Sequence, residues 1–350
     1  MHMADALVSP VVGGAMWAVS AGLIGHACRK IGTETEDRRI PLMGVMGAFT
    51  FAAQMVNFTI PGTGSSGHLG GGLLLSILLG PHAALLTMTS VLLVQALFFA
   101  DGGILALGCN IFNLGFFPCF VVFPLIYRRL SPSPKNSRNL FLAVLISAVV
   151  ALQLGAAGVV LETRLSGISE LPLLTFALMM QPIHLAIGIA EAAATAAIVI
   201  FVSKARPDLL DGHLLDGQTA APALPKKAVI ITLAVFALLL GGIASQFASS
   251  LPDGLEWAIE KTAGETWEGA FGSVHAASET LQEKTAILPD YDFKNAPGEK
   301  ESTVADSNMG TSTSGLVGGL ITLVFTLLFA AVAYLRRKSN AAAPSPNIPR

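Results

Sequence analysis

Seven histidines, at positions 2, 26, 68, 82, 184, 213 and 275, are the side chains of this 350-residue sequence best suited to chemistry. Position 2 matters for a specific reason. If Met1 keeps a free amine, that amine, the deprotonated amide nitrogen of His2 and Nδ1 of its imidazole close two fused chelate rings around one cation. Three nitrogens then lie nearly in a plane with one in-plane position open, and His68 can fill it. Four nitrogen donors in a square favour Ni2+ or Cu2+ and suit high-spin Co2+ less well. The competing reading is a fraying terminus, the ordinary state of a histidine so near a chain end. The opening MHMADALVSP lacks a basic stretch, and no small-residue cleavage site ends the first apolar run, so no signal peptide is expected and Met1 is expected to remain. A bulky second residue also hinders removal of the first methionine. Met1, His2 and His68 are thus the candidate metal ligands.

The elements that must position them are membrane helices. Hydrophobic residues make up 53% of the chain and charged residues only 13%, with a mean hydropathy of +0.65. A soluble protein of this length could not bury so much apolar surface. Apolar runs fall at about 10–28, 41–60, 67–80, 82–99, 103–127, 139–161, 173–203, 228–248 and 314–335. Most exceed the roughly 20 residues needed to cross about 30 Å of hydrocarbon as a helix. The third and fourth are short and separated only by Gly80-Pro81-His82, so they form either one bent helix or two joined by a tight turn. Charge favours two. With nine crossings and the N-terminus outside, the inner loops and tail hold 16 of the 21 basic residues, among them Arg29, Lys30, Arg128, Arg129, Lys204 and Lys227. Merging the two runs destroys that asymmetry. The expected topology therefore has the N-terminus outside and the C-terminus in the cytoplasm, with His2 and His68 on the same outer side.

The chain divides in two. Residues 1–206 carry seven closely spaced spans, 207–227 read as a cytoplasmic Pro/Gly/Asp/Ala tether, and 228–350 carry two spans around an outer loop, 249–313. That loop holds twelve Asp and Glu against four lysines, and its later half reads as partly disordered. The fold class is an all-α integral membrane protein. Within the spans, His184 and Glu191 lie seven residues apart on one helix face. They act either as a relay or support for a site, or as hydrogen-bonding glue between helices. His26 and His82 read as interfacial, His213 and His275 as solvated, and Cys28, Cys109 and Cys119, without CxxC spacing, as packing residues.

Several functions are excluded. There is no P-loop, no GxSxG elbow and no HExxH helix, and the glycine run at 67–72 follows no expected strand, so it is no dinucleotide fingerprint. The net charge of −2 gives no support to nucleic-acid binding. An intramembrane enzyme built on His184 and Glu191 lacks a nucleophile or second ligand pair. The chain's own chemistry is then binding or passage, without ATP hydrolysis and without an organic cofactor. A sensor or interaction protein acting through the acidic loop is the alternative.

The stretches PGTGSSGHLGGGLLLSILLGP (61–81) and VQALFFADGGILALGCNIFNLG (94–115), with the MHMADALVSP opening, resemble the CbiM/NikM family. These are the metal-capturing membrane components of energy-coupling factor transporters for nickel and cobalt. FASSLPDGLEWAIEKTAGE (247–265) resembles the PDGLE segment of their small partner, CbiN/NikN, so the chain is similar to a fusion of the two. The resemblance implies a seven-helix substrate-component bundle over 1–206 and a two-helix module over 228–350. It also implies a site for transported Ni2+ or Co2+ at Met1, His2 and His68, nickel slightly favoured, in the cell membrane. The implied partners are a membrane coupling subunit and cytoplasmic ATPases. Met3-Ala4-Asp5-Ala6 departs from the family's I-x-D-G, and GTGSSGH from a shorter GTSxH, without loss of a ligand.

Overall fold

The structure, a computed structural model, describes residues 2–34, 40–131, 137–169, 171–210, 223–263, 272–293 and 304–342. Met1, most of the 207–227 tether with His213, and residues 294–303 of the acidic loop lie outside the described residues.

Within the described residues the chain is almost wholly helical. Seven helices are long and apolar enough to cross a membrane: α1 (Pro10–Glu34), α4 (Pro81–Phe98), α5 (Leu107–Leu130), α6 (Ser137–Ser166), α7 (Leu173–Ala205), α8 (Lys226–Gly242, continuing as a 3-10 turn) and α11 (Val304–Ala342). Between them lie α2 (Ile40–Gln54), with 15 residues, and α3 (Gly72–Leu79), with eight. Two short helices, α9 (Gly254–Ala263) and α10 (Ser273–Thr285), occupy the loop between α8 and α11.

The expected third span at 67–80 passes between the two ends of the bundle but is helical only in its second half. Eight residues rise only about 12 Å, and the segment before them is not helix but a β-hairpin, β1 (Phe58–Ile60) and β2 (Ser65–Gly67), paired antiparallel. The glycine run thus does follow a strand, and the all-α description holds except for this hairpin. The turn at Gly80, with φ of 81°, then sends the chain back into α4 beginning at Pro81. Such non-helical backbone is tolerated at membrane depth only where protein satisfies it, and here Glu191, Gln54 and residues 251–252 do so.

Close helix approach in a membrane depends on small residues. The backbone of α1 at Met16 and Trp17 lies directly on Gly108 of α5, where a Cβ would meet main-chain atoms at 2.5 Å. The Trp17 indole donates to the carbonyl of Ile104 (2.8 Å) and the Ser20 hydroxyl to that of Gly108 (2.7 Å), sealing the contact. The C-terminal pair uses the same device. Gly241 and Gly315 bring α8 and α11 together, and Gly47 of α2 admits Thr326 of α11, so the pair packs against α2. His26 and His82 meet at the end of the bundle remote from His2 and His68, with ring centroids 5.4 Å apart.

Candidate metal centre

His2 and His68, sixty-six positions apart, are brought into contact. Their rings stack with centroids 5.0 Å apart and planes 13° from parallel. Met1 lies outside the described residues. Among the described residues no group of three or more His, Cys, Asp or Glu side chains is spaced to cage a metal on its own. A chelate of main-chain and imidazole nitrogens does not require one.

The arm that carries His2 is pinned by the segment 101–110. Asn110 accepts from the Met3 N–H (2.8 Å) and donates back to the Met3 carbonyl (3.2 Å), which also accepts from Gly103 N–H (2.8 Å). The Asp5 carboxylate accepts from the Ala106 N–H (2.9 Å). Gly103 is required because a Cβ there would lie 1.7 Å from the Asp5 carboxylate oxygen. Asp101 reaches the imidazole itself, with Oδ2 3.1 Å from His2 Nδ1, while His2 Nε2 is buried without a partner. The same oxygen accepts a short hydrogen bond from the Tyr291 hydroxyl. Burial alone would raise the Asp101 carboxyl, but the adjacent His2 and these hydrogen bonds hold it well below the usual carboxylate range.

The loop that carries His68 is held from beneath. Both oxygens of Glu191, buried within α7, accept backbone N–H groups: Gly70 at 2.7 Å and Gly71 at 3.1 Å. A carboxylate receiving two main-chain donors is among the stronger hydrogen-bonding arrangements a buried loop can find. Gln54 donates to the Gly70 carbonyl (2.9 Å) and accepts from Gln95 (2.8 Å). The Gly67 position leaves no room for a side chain, since a Cβ would meet Ile187 at 2.5 Å. His68 Nδ1 lies 3.1 Å from the Leu69 carbonyl, which leaves Nε2 as the nitrogen able to ligate. Burial and the positive charge gathered around it lower the His68 pKa to about 4, so the ring stays neutral at ordinary pH.

Of the paired intramembrane residues, Glu191 supports the site rather than gluing helices. His184 turns Nδ1 to the Met180 carbonyl of its own helix (2.7 Å), and its Nε2 is buried and unpartnered, in a small cavity shared with His68 and Asp253.

Where it is described, the acidic loop packs on the bundle along one side while Glu256, Glu260, Glu279 and Glu283 stay exposed. It covers the site. The Ser66 N–H and hydroxyl both donate to it, to the carbonyls of Pro252 and Leu251 (2.8 Å each), and the Trp257 indole donates to the Thr63 carbonyl (2.9 Å). The PDGLE motif is a helix start: Asp253 caps α9 by accepting from Leu255 and Glu256 N–H (2.8 Å each), and Glu256 accepts in return from Asp253 N–H (3.0 Å). Gly254 lies where a Cβ would strike Ile183 at 2.5 Å. His275, expected in solvent, is 4% exposed, with Nε2 3.0 Å from the Val8 carbonyl. It is the buried residue of a helix whose apolar residues, Val274 and Leu281, stay exposed, so isolated sequence position does not reveal the contact. Between the lid and the bundle lies a cavity of about 310 Å³ whose lining includes His2, His68, Asp101, Asp253, Glu256 and Asp290. Four carboxylates around two imidazoles favour cations.

Asp101, Asn110 and Tyr291 form the surroundings that sequence reasoning did not assign. Asn110 is a polar residue in an apolar run, and the Ala-Asp-Gly-Gly break at 100–103 is the available signal for Asp101.

Comparison with known proteins gives the family of the chain. Residues 2–209 match the model of the CbiM family, the cobalt uptake substrate-specific transmembrane region, and 227–336 match that of the PDGLE domain. A relative from Archaeoglobus fulgidus, provisionally named a fused nickel transport protein, NikMN, is 30% identical over 96% of this chain and 99% of its own. The fused nickel transport protein NikMN of Rhodobacter capsulatus is 27% identical over 97% of this chain and 100% of its own. A crystal structure of a truncated transition metal transporter superposes with a TM-score of 0.51 at 33% identity, covering 58% of this chain and 98% of that one. The chain belongs to the CbiM family of nickel and cobalt transport proteins, a multi-pass membrane protein with a PDGLE domain in the same polypeptide.

Proposed function

We propose that this chain is the metal-capturing component of an ATP-driven importer of Ni2+ or Co2+, and that it binds the ion at the amine of Met1, the amide nitrogen and imidazole of His2, and Nε2 of His68. The observation that carries the reading is the stacking of His2 on His68 at the floor of an acidic cavity. Metal capture through His2 Nδ1 takes that nitrogen from Asp101, so ligation releases protons and is favoured as they are removed. Nickel is favoured because four planar nitrogens suit it better than high-spin Co2+, and the full-length relatives carry nickel names.

The site faces the extracytoplasmic side, the basic residues at the far ends of α1, α5 and α7 lying in the cytoplasm. Energy comes from outside the chain, whose sequence holds no P-loop: a membrane coupling subunit and cytoplasmic ATPases form the complete importer. The test is accumulation of Ni2+ and Co2+ by cells producing the chain with those subunits. His2→Ala and His68→Ala should each abolish uptake and high-affinity binding by the purified protein, while His184→Ala retains both. Loss of binding in His184→Ala alone would move the site into the membrane.

A further inference from the structure

We propose that Tyr291, supplied by the loop of the C-terminal module, is a positioning residue of the metal centre, its hydroxyl fixing the Asp101 carboxylate and through it the His2 imidazole until the metal takes Nδ1. This rests on the reading of His2 as a ligand. The Tyr291 hydroxyl donates to Asp101 Oδ2 across 190 positions of sequence, and His2 Nδ1 sits 3.1 Å from that same oxygen. One carboxylate oxygen therefore joins the C-terminal module to the candidate ligand.

The tyrosine is held on every side. Its ring stacks on Phe99 (centroids 5.2 Å apart, 22°) and meets Phe51 edge-on at 6.4 Å; both phenylalanines are fully buried. The backbone before it is tied down by Ile287 N–H to the Phe98 carbonyl (2.9 Å) and Asp290 N–H to the Phe99 carbonyl (2.8 Å). Gln282 adds bonds to the carbonyls of Ala96 (3.0 Å) and Gly102 (2.8 Å). Among the described residues the non-glycines with positive φ are Ala100 (55°), Asp290 (50°) and Tyr291 (64°). All three flank the point where the hydroxyl meets the carboxylate. Side-chain-bearing residues seldom adopt that conformation, and where it persists the surroundings enforce it. Packing of the loop needs only an aromatic ring, which phenylalanine supplies. The hydroxyl is what reaches the metal centre.

The test uses the purified full-length protein in detergent with Ni2+ alone as probe, comparing wild type, Tyr291→Phe, Asp101→Asn and the double variant. Without the hydroxyl, Asp101 keeps a firmer hold on His2 Nδ1, the nitrogen that the metal must take from it, so Tyr291→Phe should weaken Ni2+ binding about tenfold, with the melting temperature of the metal-free protein unchanged. Because the effect passes through the carboxylate, Tyr291→Phe should add nothing in the Asp101→Asn background, and the visible absorption of bound Ni2+ should shift in Tyr291→Phe. Wild-type affinity in Tyr291→Phe, or an equal loss in both backgrounds, would overturn the proposal. Wild-type affinity in His2→Ala would instead sink the metal reading on which it stands.

Discussion

The two arms that meet at the candidate centre are held in opposite ways. The His68 loop is fixed from within the bundle, by a buried carboxylate on α7 and an amide pair on α2 and α4. The His2 arm is fixed from its own flank, by Asn110, and from above, by Asp101, Tyr291 and His275. Of these three anchors above it, Tyr291 and His275 belong to the C-terminal module. The His68 loop itself is therefore held by the seven-helix part, with the fused module bonding only the hairpin before it at Thr63 and Ser66, whereas the His2 arm depends on the fused module for its final position. In a centre built this way, the module can govern access and geometry without contributing a ligand.

The largest effect should come from Glu191. Glu191→Ala strands two buried N–H groups at about 1–3 kcal/mol each, so Ni2+ binding should be lost and amide exchange at Gly70 and Gly71 should rise sharply, while exchange at Met3 stays slow. Equal loosening of both arms would break the distinction between them. Asn110→Ala should do the reverse, loosening the Met3 amide and weakening Ni2+ binding about tenfold for a loss of roughly 1–3 kcal/mol.

A third effect concerns pH. With its pKa lowered to about 4, His68 is unprotonated from pH 5 to 8 and competes with no proton there. The weakening of Ni2+ binding on acidification across that window must then arise at the other nitrogens. His68→Ala should lower affinity while leaving the pH slope of the residual binding unchanged; a flattened slope would assign the titration to His68. The smallest effect is expected from Trp257→Phe, which removes one lid hydrogen bond worth about 1 kcal/mol. It should speed Ni2+ entry and exit with little change in equilibrium affinity.

Part of this is legible in the sequence. Long apolar runs give the helices, and chelate chemistry names Met1, His2 and His68, of which the fold brings His2 and His68 together. The hairpin at 58–67 was not legible because its residues, Phe58 to Gly67, sit between two apolar runs and merge with them in any hydropathy reading. Glu191 was visible as a costly intramembrane charge, but its partners are main-chain amides of Gly70 and Gly71, which have no side-chain signature. Asp101 and Tyr291 are ordinary loop residues until the fold joins them, and the acidic composition of 249–293 concealed the apolar residues, Leu255, Ala258 and Leu288, that dock it.

The central claim, a planar nitrogen site completed by the N-terminal amine, is tested most directly by Ni K-edge X-ray absorption. The samples are the Ni2+-loaded full-length protein, with a free Met1 amine verified by intact mass, and the same protein with one residue added before Met1. The account predicts a four-coordinate planar nitrogen shell containing two imidazoles in the native form, and loss of the His68 imidazole from the shell in the extended form. A six-coordinate, oxygen-rich shell in the native protein, or identical spectra from the two forms, would contradict it.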